Sequence, residues 1–166
     1  MKQLFCFLLA LIILLPLFGC SVNTTQNFTA PFAFYYCTKS LSYDTPSGVV
    51  VYEMREGSGY ENDPAALLEL YLQGPVGTQL TSPFPTNVKI THYLATEDRV
   101  QIVLSKEFSS LQGIDLTLAA TCLAQTIFEM IDTDTVHIAF ETESKKRQSI
   151  IITAGNYLFS DMTQST

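Results

Sequence analysis

Alternation of apolar and polar residues predicts four strands in the first two thirds of the chain. Residues 32–38 (FAFYYCT) place a large apolar side chain at every second position, which is typical of a half-buried strand. Residues 49–55 (VVVYEMR) follow a cluster of turn-forming residues and predict the second arm of a hairpin. Residues 88–94 and 99–105 alternate in the same way. This alternation puts His92 on the apolar face, where we expect a semi-buried structural histidine.

Two amphipathic segments predict helices. Asp63 followed by Pro64 is a strong start signal, because Asp caps a helix and Pro suits its first position. The first helix is therefore expected over residues 64–73, ending before Gly74-Pro75. A longer helix is predicted over residues 114–131, where apolar residues follow helical spacing. The predicted core stripe of the second helix is Leu116, Ala119, Ala120, Leu123, Ile127 and Met130.

The order of these segments predicts the fold class. Residues 136–140 and 149–153 suggest a last pair of strands, so the order is ββαββαβ(β). We expect an α+β fold, a two-layer α/β sandwich with both helices on one face of a mostly antiparallel sheet. A single domain is predicted over residues 32–155, followed by a loose tail over residues 156–166.

The first twenty residues are much more apolar than the rest of the chain. After Lys2, an unbroken apolar run extends from Leu4 to Leu15 and is followed by Pro16. A membrane-spanning helix needs about 20 apolar residues, and a proline interrupts a helix, so a spanning segment is disfavoured. The pattern predicts a cleaved signal peptide over residues 1–19.

The end of this leader resembles the lipobox of bacterial lipoproteins. Residues 17–20 (LFGC) finish on a cysteine, which in that motif is diacylated and becomes the mature N-terminus. The resemblance implies lipidation, including palmitate, at Cys20 and anchoring on the extracytoplasmic face of the bacterial cell membrane. An ordinary signal peptide, with Cys20 an incidental thiol, is the alternative. Residues 20–31 are polar and aperiodic, and they predict a flexible tether with a reach of about 17–20 Å.

The length and net charge of the chain exclude some classes of function. The chain has 166 residues, enough for one ordinary domain, and carries a formal net charge of −7. Loss of Lys2 with the leader leaves 8 basic residues against 16 acidic ones, a net charge of −8. Because phosphate contacts require basic side chains, so negative a net charge disfavours binding to nucleic acid.

Two cysteines remain in the predicted domain. Cys37 and Cys122 could form a disulfide, or they could be two buried thiols, and their sequence surroundings favour free thiols. No C-x-x-C motif or Cys/His metal spacing occurs, so the sequence predicts no zinc site.

Little in the sequence suggests catalysis. Neither His92 nor His137 belongs to a recognisable catalytic motif, and no G-x-S-x-G, H-E-x-x-H or EF-hand pattern is present. The tight carboxylate pairs are Asp132 with Asp134 and Glu141 with Glu143. We expect a solvated turn for the first pair and a solvated strand end for the second, with binding of a cation or a polysaccharide hydroxyl by Glu141 and Glu143 as the alternative. The basic run Lys145–Arg147 is expected to be a solvated hairpin tip, with contact to anionic lipid as the alternative. We therefore predict no catalytic residue, no metal site and no cofactor.

Five short motifs, taken in order, resemble the GerM-type (GerMN) sporulation and spore germination domain. They are residues 63–68 (DPAALL), 72–75 (LQGP), 82–85 (SPFP), 100–108 (VQIVLSKEF) and 125–126 (QT). The resemblance covers roughly residues 32–140. It implies a small, non-catalytic envelope domain, related in fold to ring-building modules of sporulation assemblies.

Together these features predict a lipid-anchored interaction or assembly module. Its expected partners are the membrane, through the lipid on Cys20, and envelope proteins or a second copy of the chain. Contact with these proteins is expected through sheet edges or through the Pro-rich loop at residues 82–85. The alternative is a binding module for a cell-wall polymer or small solute, which needs a concave site. A wall-active enzyme is disfavoured.

Overall fold

A computed structural model describes residues 31–39, 49–56, 59–60, 63–155 and 162–164, the last of these as backbone only. The predicted leader, the lipidation site at Cys20 and the tether up to residue 30 lie outside the described residues.

The described chain contains strands and two long helices, and the predicted α+β class is confirmed. The strands are β1 Phe32–Thr38, β2 Val50–Arg55, β3 Leu80–Thr81, β4 Ile90–Ala95, β5 Arg99–Leu104, β6 Thr135–Glu141, β7 Arg147–Thr153 and β8 Met162–Gln164. The helices are α1 Pro64–Leu72 and α2 Gly113–Met130, with a 3₁₀ helix at Lys106–Ser110. Strand β8 falls within the region predicted to be a loose tail, and its backbone pairs with β7.

The strands form two sheets rather than the single sheet expected. One sheet has the order β2-β1-β3 and is antiparallel throughout. The other has the order β4-β5-β6-β7-β8, and its β5–β6 pair is parallel. Parallel neighbours need a crossover connection, and α2 supplies it between β5 and β6.

Helix α1 begins and ends as its sequence signals predict. The Asp63 carboxylate accepts a hydrogen bond from the Ala66 N–H at 3.0 Å, and Pro64 occupies the first helical position. After the helix, Gly74 adopts a left-handed backbone with φ of 98° and donates its N–H to the Tyr71 carbonyl at 3.0 Å.

Helix α2 buries the apolar stripe that its sequence predicts, and this stripe joins a core shared by both sheets. All six stripe residues are buried. The cluster also contains Phe34 from β1, Ile102 from β5 and Ile138 from β6. Thr126 is a polar exception on this helix, because its side chain is also fully buried.

The prediction that His92 faces the core is wrong. Ile90 pairs with Leu104, but His92 pairs with Val103, so an extra residue is inserted into β4 at this point. A β-bulge of this kind shifts the alternation by one position. Tyr93 therefore packs against the core, and His92 is exposed.

A row of aromatic rings closes one end of the core. The 3₁₀ helix buries Phe108, whose ring lies 5.1 Å from Phe140 and 6.4 Å from Phe84. Phe84, in the Pro-rich loop, also packs edge-on against Tyr71 at 5.3 Å. The loop therefore turns its aromatic residue inward and covers the core.

Candidate interaction surface

Strand β2 forms one edge of the three-stranded sheet. It pairs with β1 in unbroken antiparallel register from Val50 to Arg55, and no described strand pairs with its other side. Tyr52 and Met54 project outward with 58% and 53% of their surfaces exposed. We call this strand edge, with its two exposed side chains, the β2 edge. Because an unpaired edge offers free backbone N–H and C=O groups, it is a template for pairing with another chain.

The charged residues of β2 point away from this exposed apolar pair. Glu53 and Arg55 lie on the opposite face of the strand and form an ion pair at 3.1 Å, with side chains only 15% and 17% exposed. The Arg55 guanidinium also lies over the Phe34 ring, 5.6 Å from its centroid. Glu53 and Arg55 pair with each other on the covered face, so the exposed face of the strand carries Tyr52 and Met54.

The same two charged residues hold the loop that follows α1. The Glu53 carboxylate accepts the N–H groups of Val76 at 3.1 Å and Gly77 at 2.9 Å. Arg55 donates to the Gly74 carbonyl at 3.0 Å. A Cβ at Gly77 would lie 3.2 Å from the Glu53 carboxylate, which explains a glycine there. These hydrogen bonds attach residues 74–77, the segment that begins at the end of the LQGP motif, to the covered face of β2.

The other side of β1 is covered by side chains, not by a strand, along its first half. The Tyr35 N–H donates to the Thr126 hydroxyl at 3.0 Å, and the Tyr71 hydroxyl donates to the Tyr35 carbonyl at 2.8 Å. Side chains from α2 and α1 thus take the place of a neighbouring strand at this point of β1. This arrangement gives Thr126, part of the QT motif, a structural role, and it separates the two sheets.

Tyr36 and Tyr71 complete this buried polar cluster as hydrogen-bond donors. The Tyr36 hydroxyl donates to the Tyr71 carbonyl at 2.9 Å. Burial raises the pKa of both tyrosines well above the usual value, so both stay neutral at physiological pH. Their hydroxyls therefore join β1 to α1.

Thr126→Val should lower the free energy of unfolding by about 1–3 kcal/mol, because it removes the acceptor of the buried Tyr35 N–H while keeping the shape of the side chain. Thr126→Ser is the matched control, since it keeps the hydroxyl and loses one methyl group, worth about 0.8 kcal/mol. Urea unfolding of both variants would measure the difference. A valine variant at least as stable as the serine variant would contradict the assigned role.

The residues considered for chemistry in the sequence are scattered. The four paired carboxylates, Asp132, Asp134, Glu141 and Glu143, are all exposed, as are Lys145, Lys146 and Arg147 at the β6–β7 turn. Burial lowers the pKa of His137, and Arg99 and Arg147 lower it further. Within the described ranges, no group of three or more His, Cys, Asp or Glu residues could hold a metal ion.

A groove of about 600 Å³ lies between the end of α1 and the Pro-rich loop. Its lining combines apolar and polar side chains, including Glu69, Gln73, Phe84, Asn87 and Lys89. Its volume falls within the range of small-molecule sites.

Among the described helices, none is long and apolar enough to cross a membrane.

Comparison with known proteins identifies a likeness in structure but not in sequence. No protein-family model matches the chain, and no curated protein matches it. The fold is similar to the solved structure of the tandem GerMN domains of the sporulation protein GerM from Bacillus subtilis, with a TM-score of 0.50 and 18% sequence identity. The match covers 71% of this chain and 41% of the solved one, so the chain spans less than half of that structure. The fold is therefore GerMN-like.

Proposed function

We propose that this protein is a non-catalytic assembly module of the bacterial cell envelope, anchored by lipid at Cys20, that works in a sporulation- or germination-related process. The observation that carries the proposal is the GerMN-like fold, which the chain has in common with domains of a sporulation protein. The acidic composition and the exposed β2 edge support a role in contacts between proteins. The leader and lipobox support the membrane location.

The partner we propose for the β2 edge is a second copy of this chain. In the solved structure of GerM the GerMN domains occur in tandem, so two domains of this fold lie in one molecule. Association of two copies of this chain would likewise bring two domains of this fold together. Antiparallel pairing of two β2 strands across a twofold axis would join their sheets and use the same surface on both copies.

The two sheets offer different edges for such pairing. Strand β4 is interrupted by the bulge between Ile90 and His92, and bulges are a common means of blocking edge-to-edge association. Strand β2 is regular over its six paired positions, and its exposed face carries Tyr52 and Met54. The β2 edge is therefore the better surface for augmentation.

Placing lysines at both exposed positions of the β2 edge, Tyr52→Lys with Met54→Lys, should weaken self-association at least about tenfold. Two like-charged pairs would face each other across the interface, and about 1.4 kcal/mol of lost affinity is a factor of ten. Sedimentation equilibrium of the full-length protein in nonionic detergent would measure the dissociation constant. Circular dichroism would show whether the fold is retained.

Leu94→Lys is the matched control, because Leu94 is 47% exposed on the bulged β4 edge of the other sheet. Association should be unchanged in this variant. Equal weakening by Leu94→Lys, or a wild-type chain that stays monomeric, would contradict the proposal. A monomer that instead co-sediments with isolated peptidoglycan would favour the alternative of a wall-polymer binding module using the groove beside α1.

A further inference from the structure

Two thiols from distant parts of the chain meet beside the buried polar cluster. Cys37 lies on β1, and Cys122 lies on α2, 85 positions later in the sequence. Both thiols are free, and a hydrogen bond between their side chains shifts the pKa of each. Cys37 follows Tyr35 by two residues and Cys122 precedes Thr126 by about one helical turn, so both lie beside the 3.0 Å hydrogen bond from the Tyr35 N–H to the Thr126 hydroxyl. Cys37 is 5% exposed and Cys122 is fully buried. A pair of thiols in contact can form a disulfide if an oxidant can reach one of them.

A cavity lies beside one of the two cysteines. A space of about 350 Å³ is lined by Cys37 together with apolar residues of α2 and the segment before it. These apolar residues are Leu111, Ile114 and Leu118. Cys122 does not line the cavity. A reagent that enters would therefore meet Cys37 first.

The hydrogen bond also makes the two thiols unequal. Donation from the Cys122 thiol lowers the pKa of Cys37, although burial and the nearby Asp115 carboxylate oppose this effect. The same bond, together with burial, raises the pKa of Cys122. The thiolate is the nucleophile in exchange with a disulfide, so Cys37 is the more reactive member of the pair.

We propose that Cys37 and Cys122 form a redox-reactive site, in which Cys37 attacks a disulfide oxidant that enters the cavity and Cys122 resolves the product. The Cys37 thiolate attacks one sulfur of the oxidant, forms a mixed disulfide and releases one thiolate. Cys122 loses its proton to that thiolate and attacks the Cys37 sulfur, which releases the second half of the oxidant as a thiolate. The two protein thiols are oxidised to one disulfide, and the disulfide of the oxidant is reduced.

The new bond would tie β1 to α2 on the side of β1 that Tyr35 and Thr126 already join. It would close a loop of more than eighty residues, and long loops give the largest loss of unfolded-state entropy on cross-linking. We expect the oxidised protein to melt about 10 °C higher than the reduced protein. Oxidation would thus stiffen the sheet that carries the β2 edge.

The test uses the full-length chain in nonionic detergent, with Cys6→Ser and Cys20→Ser so that two thiols remain. Reduced protein is incubated with oxidised glutathione and then digested without reductant. We expect a peptide pair joined through Cys37 and Cys122, with the melting temperature raised and then restored by dithiothreitol. Absence of this cross-linked pair, or a lower melting temperature on oxidation, would overturn the proposal.

Single variants separate the two roles. In Cys122→Ser, glutathione should accumulate on Cys37 as a stable mixed disulfide, because no resolving thiol remains. In Cys37→Ser, Cys122 should stay unmodified at the same oxidant concentration. Circular dichroism would check that both variants keep the fold. Equal modification of the two variants, or faster modification of Cys122, would show that the cavity does not direct the reaction.

Discussion

Tyr71→Ala should reduce the free energy of unfolding by about 3–5 kcal/mol, which is a large part of the stability of a domain of this size. Tyr71 is fully buried, and its ring packs against those of Phe34 at 5.3 Å, Tyr36 at 5.0 Å and Phe84 at 5.3 Å. Its hydroxyl also donates to the Tyr35 carbonyl. The substitution would leave a cavity where β1, α1 and the Pro-rich loop meet.

Two controls divide this effect into its parts. Tyr71→Phe keeps the ring and removes the donor, so we expect a loss of about 1–3 kcal/mol from the unpaired carbonyl. Tyr52→Ala truncates a tyrosine that is 58% exposed, and should change stability by only about 0.5 kcal/mol. Urea unfolding followed by far-UV circular dichroism would measure all three variants. A Tyr71→Ala variant no less stable than Tyr52→Ala would contradict the packing described here.

Cys20→Ala should abolish metabolic labelling with a fatty-acid analogue and release the protein from the membrane fraction. In the proposed lipoprotein this thiol carries the diacyl group on which stable anchoring depends, since two acyl chains hold a protein at a bilayer where one holds it only marginally. The change is all-or-none because no other cysteine follows a lipobox-like sequence. Labelling and fractionation of cells that express the variant would measure both effects.

Cys6→Ala is the control for this experiment. Cys6 lies inside the predicted signal peptide and should be removed with it, so labelling and membrane location should match those of the wild type. Undiminished labelling of Cys20→Ala would instead support an ordinary signal peptide, with Cys20 an incidental thiol.

Local signals in the sequence were sufficient to predict the positions of the helices and the buried face of α2. Asp63, Pro64 and Gly74 act within one or two turns of the chain, through capping and backbone preference, and α1 begins and ends where they predict. The stripe of α2 needed only helical periodicity, and every residue predicted for it is buried. Such features depend on neighbours in the sequence, so the sequence displays them directly.

The exposure of His92 could not be predicted from local signals in the same way. Alternation places His92 and Leu94 on the apolar face, and nothing in residues 88–95 marks an inserted residue. The bulge arises from the pairing of β4 with β5, where Ile102 pairs with Tyr93. The register with the partner strand decides which face each side chain occupies, and local alternation does not reveal that register.

The candidate surface was missed for a similar reason. The sequence predicted a strand at residues 49–55 and named sheet edges as contact sites, but it did not show that this strand was an edge. The sequence did contain one signal. Glu53 and Arg55 are oppositely charged and two positions apart, which indicates an ion pair on one face of the strand. Their inward direction became clear only with the positions of Phe34 and Gly74.

By itself, the sequence determined the α+β class, the helix limits, the core stripe and the resemblance to a GerM-type domain, because each depends on short-range patterns. The tertiary structure alone decided that the described strands divide into two sheets, that none of them pairs with the outer side of β2, and that Cys37 meets Cys122. These features bring together residues far apart in the chain. For the division into two sheets and the meeting of the two cysteines, the physical reason is that Thr126 and Tyr71 satisfy the backbone of Tyr35 in place of a strand, with Thr126 bringing α2 directly beside β1.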